Sequence, residues 1–257
     1  MRARALVALL GLLWGLNWPA VKIALGEISP WLLRTLGISL GALTLLLWAW
    51  ASGRSLRVPR GWPRFHLACI GLLNIAAFNL FSAFAQLAAT TSRVTIVTYS
   101  MPVWATLLAW PFLGERIDRR RALAVALGAG GLLVLLTPLL RTGFPLGLLY
   151  ALGSAVSWAA GTLYLKRARI QAEALAIAAW QLVAGAAAAG LGLLLFEADP
   201  HAWPLNARTL AALAYHVLCG TALAYFIWFT AAARLPAVTA SLGTLLVPVV
   251  GVVSAML

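Results

Sequence analysis

The chain has 257 residues, of which 63% are hydrophobic and only 10% are charged. A soluble domain is about 45–50% apolar and about 25% charged, so this composition excludes a soluble enzyme, a disordered protein and a disulfide-stapled secreted domain. The net charge of +13 comes from 19 Lys and Arg against 6 Asp and Glu. The basic residues form short clusters between long apolar runs, which is typical of a membrane protein and not of a nucleic-acid-binding surface.

Nine apolar runs are long enough to cross a bilayer, which requires about 20 residues in a helix. We predict membrane-spanning helices at 5–25, 31–51, 65–87, 94–113, 120–139, 145–165, 174–196, 208–232 and 237–257. The connections between them are short and rich in Gly, Pro and Ser. The predicted fold class is therefore an all-α integral membrane protein without a separate soluble domain.

The distribution of Lys and Arg over alternate loops predicts the orientation. One set of loops, which includes the N-terminus, contains Arg2, Arg4, Arg54, Arg57, Arg60, Arg64, Arg116, Arg119, Arg120, Arg121, Lys166, Arg167, Arg169 and Arg234, whereas the other contains Arg93, Arg141 and Arg208. Basic residues accumulate in cytoplasmic loops, so we expect a cytoplasmic N-terminus. Lys22 and Arg34 lie near the outer ends of their spans, and we expect both side chains to extend outward to the membrane surface.

An internal repeat relates the two halves of the chain. At an offset of 144 residues, the stretch 81–95 resembles the stretch 225–239, and Phe84 corresponds to Trp228. Trp14 and Trp158 correspond at the same offset, in the first and sixth spans.

The repeat unit contains five helices, an odd number, so the second unit must enter the membrane in the opposite orientation. We predict a first five-helix unit at 1–139 and a second unit at 140–257 that contains four spans. Inverted repeats place a substrate site near the middle of the membrane, where the halves meet. The repeat therefore indicates a transporter.

The stretch Val94–Ile117 (VTIVTYSMPVWATLLAWPFLGERI) resembles the signature span of EamA-type transporters of the drug/metabolite transporter superfamily. It carries a mid-helix proline, Pro102, and a Leu-Gly-Glu-Arg end at Leu113–Arg116. The early Trp14-Gly15 pair and the Ala-containing turn at 235–241 fit as well, and the resemblance covers essentially the whole chain.

The resemblance implies ten spans in two inverted five-helix units, cytoplasmic termini and export of small metabolites. The abundance of Trp is most similar to YddG-type exporters of aromatic and other amino acids. The chain departs from this pattern at Leu257, where a ninth span ends, and the second Gly-Glu motif and the tenth span are absent. We therefore expect a native product that is longer than this chain.

Polar and aromatic residues inside the spans are the candidates for substrate binding, because they are costly to expose to lipid. The predicted substrate-binding set consists of Trp14, Asn17, Phe78, Asn79, Ser82, Gln86, Tyr99, Trp158, Trp180, Gln181 and Tyr225. For each polar residue the alternative is hydrogen bonding between helices. For each Trp the alternative is contact with lipid.

Other features suggest movement, coupling and packing. Pro102 and Pro248 recur in the two halves, and each interrupts helix hydrogen bonding, so we predict hinges there. His216 lies inside a span and is a candidate proton relay, with a hydrogen-bonded structural role as the alternative. No carboxylate lies within a span, which favours facilitated diffusion or exchange over strong proton coupling. The pairs Gly11/Gly15 and Gly37/Gly41 are predicted to allow close helix approach.

Taken together, these patterns predict a bacterial inner-membrane exporter of amino acids or related amphipathic metabolites that works by alternating access through an aromatic-lined cavity. The expected partners are the small-molecule substrate and membrane lipid, without nucleic acid, and the protein is expected to be a monomer without metal or cofactor. An exporter of lipophilic cationic drugs is the alternative within the same class, and a channel is a less favoured one. From another class, an integral membrane enzyme or lipid-handling subunit remains an alternative, although no catalytic motif is visible.

Overall fold

The computed structural model describes residues 2–114, 119–140, 146–197, 205–234 and 246–254, and these segments contain nine helices. The helices are α1 (Arg2–Ala24), α2 (Pro30–Ala51), α3 (Trp62–Ala88), α4 (Thr91–Leu113), α5 (Arg119–Leu140), α6 (Leu146–Ala168), α7 (Ala174–Phe196), α8 (207–234) and α9 (Leu246–Ser254). Their order and approximate bounds confirm the all-α prediction. Glu115 and Arg116 of the signature motif and the turn at 235–241 lie outside the described residues.

Six of these helices, α2, α3, α4, α6, α7 and α8, are long and apolar enough to cross a membrane, and α1 adds a shorter apolar stretch at Ala8–Ala24. Their outward faces carry exposed large apolar side chains such as Leu47, Phe112 and Leu194. Such faces are stable where the surrounding solvent is lipid. The helix ends follow ordinary capping chemistry, since the Ser29 hydroxyl accepts from the backbone N–H of Leu32 at 3.1 Å and Pro30 begins α2.

Two helices contain a π-helical segment that the sequence did not predict. In α3 the segment covers Leu72–Ala77, and in α8 it covers His216–Leu223. The two segments begin 144 residues apart, which is the offset of the sequence repeat. π-Helical turns are rare and occur mostly at functional sites, so this recurrence directs attention to the middle of α3 and α8.

Each π segment packs against the first helix of the other half through an Asn side chain and a Gly. The Asn17 side chain of α1 lies where a Cβ on Gly220 of α8 would be, and the Asn74 side chain of α3 lies where a Cβ on Gly161 of α6 would be. Because glycine has no Cβ, the backbones approach closely at both crossings.

The second helix of each half also meets the opposite π segment at a Gly. A Cβ atom added to Gly41 of α2 would contact Thr221 of α8, and one added to Gly185 of α7 would contact Ile75 of α3. Gly41 belongs to the predicted pair Gly37/Gly41. At the other predicted pair, Gly11/Gly15, α1 approaches α9 closely, so both predicted glycine pairs pack as expected.

At the level of whole helices, α1 packs on α8 and α9, α6 packs on α3 and α4, and α2 packs on α7. Exchange of the two predicted halves would generate the same set of pairs.

Helix α4 is interrupted at Tyr99 and Ser100, within the span predicted at 94–113 and just before Pro102. The backbone N–H of Ser100 donates to the carbonyl of Val97 at 3.1 Å, which is a tighter turn than the i to i+4 bonding of an α-helix. Pro102 has no N–H to donate to the carbonyl of Thr98, so the regular helix cannot continue through this point.

Candidate functional site

A central cavity lies between α1, α2, α3, α4, α6 and α8. The space between its residues amounts to about 880 Å³, a figure that includes open solvent at the mouth of the cavity. The cavity is lined by Trp14, Asn17, Trp18, Val21, Arg34, Phe78, Asn79, Ser82, Gln86, Tyr99, Met101, Pro102, Ala105, Trp158, Ala159, Thr162, Gly220, Tyr225 and Trp228.

One side of the cavity is an aromatic cluster, which we define as Trp14, Phe78, Trp158, Tyr225 and Trp228. The Trp14 ring lies edge-on to Trp158 at a centroid distance of 5.6 Å and to Tyr225 at 5.8 Å. The Trp158 ring lies 4.8 Å from Phe78 and 5.6 Å from Trp228. Since edge-on and tilted aromatic pairs are favourable, these residues form a rigid apolar wall.

A hydrogen-bonded polar network lies on α1, α2, α3 and α8. His216 Nδ1 lies 2.9 Å from Asn17 Oδ1, and His216 Nε2 lies 3.3 Å from Arg34 Nη1. Arg34 Nη2 donates to the Ser82 hydroxyl at 3.1 Å. An arginine can only donate, so His216 Nε2 must accept, and the neutral imidazole then donates from Nδ1 to Asn17. The network thus joins one helix of the second half to three helices of the first.

Asn79 links this network to the aromatic cluster. The hydroxyl of Ser82 donates to the backbone carbonyl of Asn79 at 2.9 Å, and Asn79 Nδ2 donates to the Tyr225 hydroxyl at 2.9 Å. Asn79 Nδ2 also donates to the carbonyl of Ile75 in the π segment of α3 at 2.8 Å. The amide therefore holds Tyr225 in place and at the same time satisfies a backbone group of the irregular helix.

Arg34 corrects the expectation of an outward-extending side chain. It is only 2% exposed and lines the cavity. Its proximity to the start of α2 suggested a position at the membrane surface, but the side chain turns inward to His216 and Ser82. Lys22, by contrast, is exposed and donates to the backbone carbonyl of Gln86 near the end of α3.

Three buried polar atoms on cavity-lining residues have no hydrogen-bond partner among the described residues. They are Arg34 Nε, Gln86 Oε1 and Thr162 Oγ1. A buried polar group without a partner is unfavourable by about 1–3 kcal/mol. The residues of the cavity wall therefore include a buried donor and a buried acceptor that no described group satisfies.

The structure brings nine of the predicted substrate-binding residues to this cavity, namely Trp14, Asn17, Phe78, Asn79, Ser82, Gln86, Tyr99, Trp158 and Tyr225. Trp180 and Gln181 lie elsewhere. The Trp180 indole is 40% exposed and donates to the carbonyl of Leu56 at 2.9 Å, near the start of α7. Gln181 is fully buried where α7 approaches Gly71 of α3. Both residues were predicted because they are an aromatic and a polar residue within a span. Residue type alone does not indicate which way a side chain points.

Of the two predicted hinges, Pro102 lines the cavity, whereas Pro248 lies in the first described turn of α9 and does not. The predicted set missed Arg34, Trp18, Trp228 and Thr162 among the lining residues. Trp18 and Trp228 had a sequence signal, since both are tryptophans deep within spans. No feature of the sequence indicated that the Arg34 side chain turns inward. Its position near the start of α2 suggested a side chain at the membrane surface.

Comparison with known proteins identifies relatives of this chain. The model of the EamA-like transporter family matches twice, over residues 1–137 and 145–257. The uncharacterized transporter YvbV of Bacillus subtilis (strain 168) is 31% identical over 72% of this chain, which corresponds to 60% of the length of YvbV. A probable amino-acid metabolite efflux pump of Escherichia coli (strain K12) is 24% identical over 98% of this chain and 85% of its own length.

The fold also matches a crystal structure of a protein with a TM-score of 0.72, at 24% sequence identity, over 98% of this chain and 86% of that one. This likeness supports the helical arrangement. The two family matches cover nearly the whole chain, and the helices have the length and composition of membrane spans. The protein is therefore an integral membrane protein and belongs to the EamA-like transporter family.

Proposed function

We propose that the protein exports amino acids or related amphipathic metabolites across the bacterial inner membrane, through the central cavity. The observation that carries this proposal is the composition of the cavity, in which an aromatic cluster faces a polar network. Amphipathic metabolites have the same division between an apolar and a polar part. The names of two relatives, probable amino-acid metabolite efflux pumps of Escherichia coli and Salmonella typhimurium, agree with this substrate class.

Within this proposal, the aromatic cluster contacts the apolar side chain of the substrate. Indole and phenol rings provide large apolar contact areas, and two cluster members already use their polar atoms within the protein. Trp14 Nε1 donates to the carbonyl of Gly220 at 3.2 Å, and the Tyr225 hydroxyl accepts from Asn79. Both rings line the cavity, so their apolar parts are the surface that the substrate would contact. Polar lining atoms then contact the backbone part of the amino acid.

The proposed transport mode is alternating access between two inverted five-helix units, with the N-terminus in the cytoplasm. It is supported by the two family matches, by the π segments at the repeat offset and by the paired Asn–Gly crossings. Facilitated diffusion or exchange is favoured over proton coupling because both ring nitrogens of His216, the titratable imidazole of the network, form hydrogen bonds within the protein. Export of lipophilic cations is less favoured, since the guanidinium of Arg34 lies in the same cavity.

The test is counterflow of radiolabelled amino acids into proteoliposomes that contain the purified protein. We expect wild-type protein to exchange at least one aromatic amino acid and the Trp158→Ala variant to lose most of this activity, because a central aromatic contact is typically worth at least about 2 kcal/mol. Trp50→Ala is the matched control, because Trp50 is 82% exposed at the end of α2. Equal rates for Trp158→Ala and Trp50→Ala, or no exchange by the wild type, would contradict the proposal.

A further inference from the structure

We propose that Arg34 binds the carboxylate of the transported molecule, so that the protein selects substrates that carry a carboxylate. This inference rests on the proposed function, since it assigns the polar end of the same cavity. It begins with the burial of a guanidinium within a membrane-spanning helix. A cation in such a place is unfavourable unless anionic or strongly polar groups surround it.

The partners of Arg34 among the described residues are uncharged. Its two terminal nitrogens reach His216 Nε2 and the Ser82 hydroxyl, and its Nε has no partner. A guanidinium has five N–H groups, of which these two bonds use only two. The remaining donors suit a planar anion with two oxygens, and carboxylates bind arginine through two parallel hydrogen bonds.

His216 and Ser82 act here as orienting groups. The imidazole lies between Asn17 and Arg34, and it is 1% exposed. Together with Ser82 it restrains the guanidinium from two sides without neutralising its charge. The cavity thus retains a fixed positive charge beside the aromatic cluster, which a substrate carboxylate can neutralise.

Gln86 provides a complementary group for an α-amino acid. It lies one helical turn beyond Ser82 on α3, a rise of about 6 Å along the helix, and its Oε1 is a buried acceptor without a partner. Ammonium groups only donate. A zwitterion with its carboxylate on Arg34 can therefore direct its ammonium group toward Gln86. A free inorganic anion such as chloride would satisfy Arg34 but would leave Gln86 Oε1 unpaired.

The experiment compares ligands that differ only in the carboxylate. Thermal unfolding of the detergent-solubilised protein is measured with L-phenylalanine, L-phenylalaninamide and 2-phenylethylamine, and separately with 3-phenylpropionate and 3-phenylpropionamide. We expect each carboxylate to stabilise the wild type at a concentration about tenfold to a hundredfold lower than its amide or amine.

The variants test the role of Arg34 in this preference. Arg34→Gln should abolish it. Arg34→Lys should keep part of it, since the charge remains but the bidentate geometry of the guanidinium is lost. Arg57→Gln, at an exposed loop arginine, is the control and should behave as the wild type.

The outcomes are distinguishable. If the wild type prefers carboxylates in binding but exchanges no amino acid, the proposed function fails and the carboxylate site stands. If amides and amines bind as well as carboxylates, the inference is wrong, and this result depends on wild-type protein alone. It is also wrong if Arg34→Gln folds and still prefers carboxylates, or if chloride alone stabilises the wild type and carboxylates add nothing.

Discussion

At the scale of single residues, the cavity shows how a membrane protein holds buried polar groups without charge pairing. Asn17, His216, Arg34 and Ser82 form one chain of hydrogen bonds, and each of these bonds joins two different helices. In a medium of low dielectric constant such bonds are strong, and an unpaired member is unfavourable. Substitution within the chain should therefore affect both stability and transport.

His216 tests whether this chain is structural or relays protons. In His216→Gln, the side-chain carbonyl can accept from Arg34 and the amide can donate to Asn17, so we expect exchange near the wild-type rate. His216→Ala removes the partner of Asn17 Oδ1 and of Arg34 Nη1 and should lower the free energy of unfolding by about 1–3 kcal/mol. Counterflow and thermal unfolding of both variants provide the measurements. Loss of exchange in a stably folded His216→Gln protein would instead indicate a relay.

At the scale of elements, the π segments of α3 and α8 are the points where the two halves meet most closely. Asn74 packs against Gly161, and Asn17 packs against Gly220. The two crossings are not chemically equal, because Asn17 is bonded to His216 whereas both polar side-chain atoms of Asn74 lack partners among the described residues. The Asn74 crossing is therefore the better place to test packing without disturbing the network.

Gly161→Ala should place a methyl group against the Asn74 side chain and destabilise the protein by about 1–3 kcal/mol. Adding Asn74→Ala removes both the overlap and two unpaired polar atoms, so the double variant should recover most of the lost stability. Gly130→Ala is the matched control: it lies within α5 with no atom near an added Cβ, and it should be neutral or stabilising by about 0.5–1 kcal/mol. Thermal unfolding measures all three, and equal effects of Gly161→Ala and Gly130→Ala would contradict the packing account.

At the scale of the whole molecule, the cavity is enclosed by helices of both halves, so movement of one half relative to the other would change access to it. The interruption of α4 at Tyr99 and Ser100 lies directly beside the cavity, at Pro102. Pro248 occupies the related helix of the other half. Regular helix bonding is absent at Pro102, and bending there requires no further hydrogen bond to break.

The double variant Pro102→Ala/Pro248→Ala tests these hinges. Alanine restores a donor at both positions and favours straight helices, and a bias of about 1.4 kcal/mol would reduce the bent population about tenfold. We expect a lower maximal exchange rate with little change in the concentration of amino acid that gives half-maximal exchange. Wild-type exchange kinetics in the folded double variant would exclude the hinge hypothesis.

Most of the fold followed from the sequence because lipid imposes a simple rule. A span needs about 20 apolar residues and satisfies all its backbone groups internally, so hydropathy located the helices before any contact was known. The offset of 144 residues further indicated that Trp14 and Trp158 belong together, and their rings lie 5.6 Å apart. These features depend on composition and order along the chain, which a sequence contains in full.

The directions of side chains were decided only by the tertiary structure. Arg34 and Trp180 lie in comparable places near the starts of their helices, yet Arg34 turns into the cavity and Trp180 turns to Leu56. The π segments shift the register of α3 and α8 locally, and no residue pattern marks that shift. Whether a polar residue faces a cavity depends on which neighbouring helix supplies its partner, and these partners, such as His216 for Arg34, lie far away in the sequence.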